Sequence, residues 1–208
     1  MYRADEVIEQ APYIRIPGFL TPEENRYLLD YVAQHESDFV KSKLDIDVPD
    51  YRNSMVLPKF DDLGIDLENR ISEMLPELFA HFALELPDQP IFETQLTTHN
   101  DGGYLRIHND NGSEVTSDRV MTYVYYFFHE PQAFRGGQLR VYDSKVVNNV
   151  WVAADTFVDL APENNMMLCF PSRLLHEVLP MECSSRQFAD GRFTLNGWVR
   201  NRKNAGAA

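Results

Sequence analysis

Residues 104–112 read Tyr-Leu-Arg-Ile-His-Asn-Asp-Asn-Gly, YLRIHNDNG, an apolar-alternating stretch that ends in His108, Asn109, Asp110 and Asn111. Such alternation is the period of a half-buried β-strand. Two readings of its polar end are open. Asn, Asp and Gly start and cap turns by bonding their own backbone, so the cluster can be a strand terminus and nothing more. On a two-residue period, however, Tyr104, Arg106, His108 and Asp110 share one face, and an imidazole beside a carboxylate is a pair of metal-ligand types. Taken alone, His-x-Asp has little specificity.

Outward from this stretch, the texture from residue 91 onward is one of short β-type runs: IFETQLTT, YLRIH, RVMTYVYYFF, GQLRVYD, VWVAAD, TFVDLA, NMMLCF, LLHEVL and RFTLNGWV. Gly, Pro, Asn and Asp punctuate them, which predicts an antiparallel sandwich or barrel. Upstream, PYIRIPGFL at 12–20 alternates, and TPEENRYLLDYVAQHE at 21–36 predicts a helix. Thr21 is placed to cap it, Pro22 suits its first position, and Glu24 completes a capping box. Tyr27, Leu28, Tyr31 and Val32 recur at helical spacing as a core-facing stripe. Residues 37–62 carry no clear period and read as a long loop or ordered lid. A second helical pattern, GIDLENRISEMLPELFAHFAL at 64–84, contains Pro76, which is expected to kink or divide it. His81, among Phe79, Phe82 and Leu84, reads as a structural residue of that helix. Helices followed by strands imply that the helices pack on one sheet.

The chain's 208 residues suit one domain with a single sizeable core. The expected organisation is a helical support region over 1–90, a β core over 91–200 and a frayed tail over 201–208. Nineteen basic against thirty-two acidic residues give a net charge of −13, the wrong sign for a protein that neutralises phosphates, so nucleic acid is not an expected partner. No apolar run approaches a membrane span, and MYRADEVIEQ lacks the apolar segment of a signal peptide, so no membrane partner and a cytoplasmic location are expected. Cys169 and Cys183 lack Cys-x-x-Cys spacing and read as free thiols.

A facial 2-His-1-carboxylate site needs a second imidazole and leaves three positions on Fe(II) open. His176, in FPSRLLHEVLP after a turn at Pro171–Ser172, is the natural candidate. His35 ends a surface helix, and His129 follows YVYYFF at a strand end. His99, in the loop sequence HNDGG, is the rival. A candidate anion anchor is also available: Arg192, Thr194, Asn196 and Trp198 share a face of RFTLNGW, and a guanidinium beside a hydroxyl suits a carboxylate, although by itself Arg192 reads equally as an exposed arginine on an edge strand.

The order His108-x-Asp110, Gly-Gly-Gln-Leu at 136–139, His176 and Arg192-x-Thr194 resembles the Fe(II)/2-oxoglutarate-dependent dioxygenases, specifically their prolyl 4-hydroxylase-like branch. The resemblance covers about residues 92–200. HNDNG resembles the family's ligand segment, YVYYF its aromatic strand, FRGGQLRVYD its Gly-Gly-Glu-Leu strand and RFTLNGW its Arg-x-Ser/Thr strand. It implies an α+β, mainly β fold with a double-stranded β-helix core, jelly-roll or cupin-like, and N-terminal helices on one sheet. It also implies that His108, Asp110 and His176 bind Fe(II), and that Arg192 pairs with the distal carboxylate of 2-oxoglutarate, with Thr194 or Tyr126 adding a hydrogen bond. Fe(II) is the implied cofactor, 2-oxoglutarate and O2 the co-substrates, and ascorbate an optional reductant. Related halogenases lack the carboxylate that Asp110 supplies, so the resemblance implies hydroxylation. Two features depart from the pattern: sixteen residues separate His176 from Arg192, with ECSSRQFADG reading as an inserted hairpin loop that holds the alternative Arg186, and His99-Asn100 stands where relatives carry Tyr-Asn.

The leading expectation is hydroxylation of an aliphatic C–H in a prolyl residue of a peptide or protein, or in a free amino-acid-like substrate, with release of succinate and CO2. The same chemistry on a small natural product is one alternative; a non-catalytic jelly-roll binding module is another. Exposed Arg106, Arg140 and Arg173 are candidates to receive a substrate carboxylate.

Overall fold

In chain order, a computed structural model of the protein places short strands β1 (Ile8–Glu9) and β2 (Ile14–Pro17) before helix α1 (Pro22–Gln34). Strands β3 (Val40–Lys41), β4 (Arg52–Asn53) and β5 (Met55–Leu57) lead to helix α2 (Leu67–His81). The β-rich part follows as β6 (Ile91–His99), β7 (Tyr104–His108), β8 (Arg119–Phe127), β9 (Arg135–Gly136), β10 (Leu139–Val147) and β11 (Val150–Leu160). It ends with β12 (Met166–Pro171), β13 (His176–Val178), β14 (Met181–Glu182) and β15 (Arg192–Arg200). The structure describes residues 7–42, 50–60, 66–148 and 150–201. The start of the chain over 1–6, parts of the expected 37–62 loop and nearly all of the expected tail lie outside the described residues. No helix among the described residues is long and apolar enough to cross a membrane.

Helix α1 begins as its sequence requires. The Thr21 hydroxyl accepts from Glu24 N–H at 3.2 Å, and the Glu24 carboxylate accepts from Thr21 N–H at 2.8 Å, a capping box worth about 1 kcal/mol. Its core-facing residues are Leu28, Leu29 and Val32, with Asn25 also buried. Of the expected stripe, Tyr31 is partly buried against the core with Leu28 and Val32, whereas Tyr27 is exposed and Leu29 is buried in addition. Helix α2 runs through Pro76 undivided. A proline costs a helix interior roughly 3 kcal/mol, but burial of Ile71, Leu75, Leu78 and Phe79 on the sheet, at roughly 1.5–3 kcal/mol each, holds both turns in line. His81 is exposed at the end of α2, edge-on to Phe82, and is not a core residue.

Two antiparallel sheets face each other. One has the order β1-β10-β13-β7-β4 with β11 added on β10; the other has the order β2-β12-β8-β15-β6-β5-β3. The second sheet is covered on its outer face by both helices, as expected. The parity of each strand decides which core a residue joins. On β8, Met121, Tyr123, Tyr125 and Phe127 face the helices, whereas Val124 and Tyr126 face the opposing sheet. On β15, Phe193, Leu195 and Val199 face the helices. Arg192, Thr194, Asn196 and Trp198 therefore face the space between the sheets.

Three segments differ from expectation. VWVAAD and TFVDLA form one continuous strand, β11, because both pair along β10. The described part of 37–62 is ordered by strand pairing, β5 on β6 and β4 on β7. In the expected insertion at 180–191, β14 pairs with β9, where Gly136 has φ +74° and a Cβ would lie 2.2 Å from the Pro180 carbonyl oxygen.

Gly197 is opposite Tyr123 in the β15–β8 register, and a Cβ there would lie 1.9 Å from the Tyr123 ring. The ring cannot withdraw cheaply, since its hydroxyl bonds Thr94 at 2.7 Å and the Glu93 carbonyl at 3.0 Å. Gly197→Ala is expected to lose about 1–3 kcal/mol in urea denaturation through overpacking; wild-type stability in that variant would contradict this packing.

Candidate metal centre

His108 is the last residue of β7 and pairs directly with His176, the first of β13. Two residues further along, Val178 pairs with Leu105, so β7 spends three residues where β13 spends two. This bulge changes the face assignment. Tyr104, Arg106, His108 and Asp110 do not share one face: Leu105 and His108 line the interior, while Tyr104 and Arg106 turn outward onto Asp50. Bulges re-aim side chains in this way near functional sites. Asp110 follows in the turn, and its N–H donates to the Ser172 carbonyl at 3.0 Å.

The three side chains converge. One donor atom each from His108, Asp110 and His176 lies within 4.8 Å of the others, the one such cluster of His, Cys, Asp or Glu among the described residues. His108 Nε2 is 3.7 Å and His176 Nε2 3.5 Å from the Asp110 carboxylate. In each imidazole the other nitrogen is committed: His108 Nδ1 to the Arg106 carbonyl and His176 Nδ1 to the Leu174 carbonyl, both at 2.9 Å. A carbonyl can only accept, so both Nδ1 atoms carry a proton, and Nε2 is the atom that each ring offers beside the carboxylate. Burial, reinforced by His176, holds the His108 pKa below its ordinary range and keeps the ring neutral. Burial alone would raise the Asp110 pKa, but at the acid pH where it titrates the positive charge on His176 and His108, with the Thr122 hydroxyl, holds it below the usual carboxylate range. Two imidazoles presenting Nε2 and one carboxylate are the donor set of a divalent cation site, and of Fe(II) in particular.

The carboxylate has its own support. Thr122 on β8 donates to Asp110 Oδ2 at 2.7 Å, and the buried Ser172 hydroxyl lies 2.9 Å from Thr122 Oγ1. With its proton on Asp110, Thr122 must accept from Ser172, a relay that orients the ligand oxygen. Nothing in the motif spacing points to Thr122 or Ser172; they are found by register.

A cavity of about 610 Å³ opens from this cluster. Its inner end holds Arg192, 2% exposed, above the Tyr126 ring at 5.2 Å. Arg192 Nε and Thr194 Oγ1 are buried without a hydrogen-bond partner among the described residues. These are the orphaned donors expected where a carboxylate binds. Tyr126 is the tyrosine of YVYYF that lines the cavity; Tyr123 and Tyr125 face the helices. Arg186 is largely exposed and paired with Asp101 at 2.9 Å, so it does not substitute for Arg192. His99 is absent from the metal cluster and contacts Arg192 instead, Nη2 to Nδ1 at 3.1 Å.

Arg106, Arg140 and Arg173 are not free for a substrate. They pair with Asp50, Asp159 and Glu9, and none lines the cavity. Arg52 and Tyr51 do line it, brought in by β4 pairing on β7. Burial lowers the Arg52 pKa while the Asp110 charge opposes that shift, and Arg52 lines the same cavity as His108, Asp110 and His176. Gln95, Asn196 and Trp198 complete the polar wall, and the Trp198 indole lies 3.8 Å under Arg119.

Residues 94–200 match the family model described as the 2OG-Fe(II) oxygenase superfamily. Over 204 residues the chain is 41% identical to an uncharacterized PKHD-type hydroxylase of Synechocystis sp., covering 97% of this chain and 67% of that one. Among solved structures, the fold is similar to a Pseudomonas putida prolyl-4-hydroxylase, with TM-score 0.64 and 20% identity over 93% of this chain and 94% of that one. It is also similar to a Trichoplax adhaerens prolyl hydroxylase solved with a peptide fragment of the hypoxia inducible factor oxygen degradation domain. That match has TM-score 0.63 and 20% identity over 91% of this chain and 83% of that one.

If the relay through Thr122 orients Asp110, Thr122→Val should weaken Mn(II) binding by about 10–100-fold, read by metal titration of the apo-protein. Equal affinity in the variant would show that the relay does not set the ligand geometry.

Proposed function

The chain belongs to the 2OG-Fe(II) oxygenase superfamily, and on that premise we propose that His108, Asp110 and His176 hold Fe(II) while Arg192, with Thr194 and Tyr126, holds the distal carboxylate of 2-oxoglutarate. The protein is a 2-oxoglutarate- and Fe(II)-dependent dioxygenase, with O2 as the second co-substrate. The carrying observation is the convergence of two imidazoles, each tethered through Nδ1, and one carboxylate in a cavity also lined by the buried Arg192, whose Nε has no partner among the described residues. We infer that residues 1–208 act as one dioxygenase domain, since both helices pack on the sheet that supplies Arg192.

When bound, the iron supplies the redox chemistry that couples oxidation of 2-oxoglutarate by O2 to hydroxylation of a substrate C–H. In balance, substrate C–H, 2-oxoglutarate and O2 give substrate C–OH, succinate and CO2. The chain's own residues do the positioning. Arg192 fixes one end of the co-substrate by a charge-assisted contact, which aligns its other end with the three ligand groups. Tyr126, Leu139 and Val178 wall off the inner cavity from water. Asp110 keeps a carboxylate in the third protein position, which suits hydroxylation.

The substrate we propose is a prolyl residue of a peptide or protein. Its support is the fold shared with a prolyl hydroxylase solved with a peptide fragment. A free amino-acid-like substrate is the second reading, favoured by Arg52, a cavity-lining cation suited to a carboxylate. Product mass spectrometry on prolyl peptides, free amino acids and small natural products separates these readings: a gain of one oxygen on peptides alone supports the first and contradicts the second.

With Fe(II), 2-oxoglutarate and O2, succinate formation is expected in wild type and is expected to fall by at least about 100-fold in His108→Ala and in His176→Ala. Asn109→Ala and Asn111→Ala, which alter turn residues, should stay within a few-fold of wild type. Full turnover in both histidine variants, with the fold retained by circular dichroism, would contradict the assignment.

A further inference from the structure

His99 is 3% exposed, sits opposite Arg192 in the β6–β15 register, and lines the cavity. The hydrogen bond between Arg192 Nη2 and His99 Nδ1 has only one polarity, because a guanidinium can donate and cannot accept. Nδ1 therefore carries the lone pair. The ring's one proton is on Nε2, and that buried Nε2–H has no partner among the described residues. A second ring proton would set N–H against N–H at the Arg192 contact. Burial and the charges of Arg192 and Arg52 likewise push the imidazole toward its neutral form.

The result is a buried donor, fixed in tautomer, beside a buried cation on a residue that lines the cavity. An acceptor must fill that position in the working protein, because an unmet buried N–H is costly. A carboxylate suits it best: Arg192 supplies the matching charge, and a neutral imidazole adds a donor without adding a second charge. We propose that His99 is a further co-substrate-binding residue, whose Nε2–H donates to a carboxylate oxygen of 2-oxoglutarate beside Arg192. This rests on the reading of Arg192 given above. It gives both ring nitrogens of His99 a use: Nε2–H donates to the co-substrate, and the lone pair of Nδ1 holds the arginine in place.

The test uses the protein loaded with redox-inert Zn(II) and titrated with 2-oxoglutarate by calorimetry. His99→Leu should weaken binding by about 10–100-fold, the range of one hydrogen bond to a charged group. His99→Gln, whose amide both accepts and donates, should recover most of the affinity. A second measurement needs no variant to bind ligand. In 15N-histidine-labelled wild type, the His99 ring should show an unprotonated Nδ1 and a protonated Nε2, and 2-oxoglutarate should move the Nε2 proton downfield and slow its exchange. An Nδ1-protonated or doubly protonated ring, an Nε2–H unmoved by the ligand, or wild-type affinity in His99→Leu would overturn the proposal. Weakened binding in Arg192→Gln with normal binding in His99→Leu would overturn it alone, and leave the co-substrate site standing. Absence of 2-oxoglutarate binding by wild type, or no effect of Arg192→Gln, would overturn both.

Discussion

The pairing of β7 with β13 is the constraint on which the site depends. His108 and His176 are direct partners across two antiparallel strands, so their rings meet with centroids 4.2 Å apart. The extra residue in β7 turns His108 inward and leaves Arg106 on the surface; without it, the strand's two-residue period would carry Arg106 inward with His108. Both backbone carbonyls that accept from the imidazoles, those of Arg106 and Leu174, sit two residues before their histidines. The same local geometry therefore sets the same tautomer twice, and both Nε2 atoms are delivered to Asp110.

The second sheet supplies what the first cannot. Strand parity on β8 and β15 divides the sheet into an apolar face under the helices and a polar face toward the cavity. Thr122 and Tyr126 lie on the polar face of β8, while Arg192, Thr194, Asn196 and Trp198 lie on that of β15. Slipping β15 by one residue would exchange Arg192 for Phe193 and turn the guanidinium into the apolar core under the helices. The apolar face excludes that slip, since Tyr123, Tyr125, Phe127, Phe193 and Leu195 are all fully buried against the helices. The helices thus fix the position of the Arg192 guanidinium from the opposite face of the sheet. Holding a buried arginine and an unmet threonine hydroxyl ready for a ligand costs stability, and this packing offsets the cost.

Much of this was legible in the chain. His108, Asp110, His176 and Arg192 stand in motifs whose spacing survives folding, and the capping box at Thr21 and the helices-on-one-sheet arrangement follow from local pattern. Other features depend on register, which one sequence does not display. YVYYF offers three tyrosines, and only the pairing of β8 with β15 selects Tyr126. The bulge that separates Arg106 from His108 leaves no mark in YLRIHNDNG, where alternation looks unbroken. Thr122, Ser172 and Arg52 reach the site through contacts across 12, 50 and more residues, with no motif of their own. Pro76 and His81 show the opposite case, where local rules lost to burial of neighbouring apolar residues and to the position of the helix end.

On the proposed assignment the iron sits on two imidazoles and one carboxylate, with His99 outside its shell. X-ray absorption at the iron edge of the anaerobic, Fe(II)-loaded protein tests it most directly. The account predicts a shell of nitrogen and oxygen donors at about 2.0–2.2 Å with the scattering of two imidazoles, reduced to one imidazole in His176→Ala and unchanged in His99→Gln. Three imidazoles in wild type, or the loss of one in His99→Gln, would contradict it.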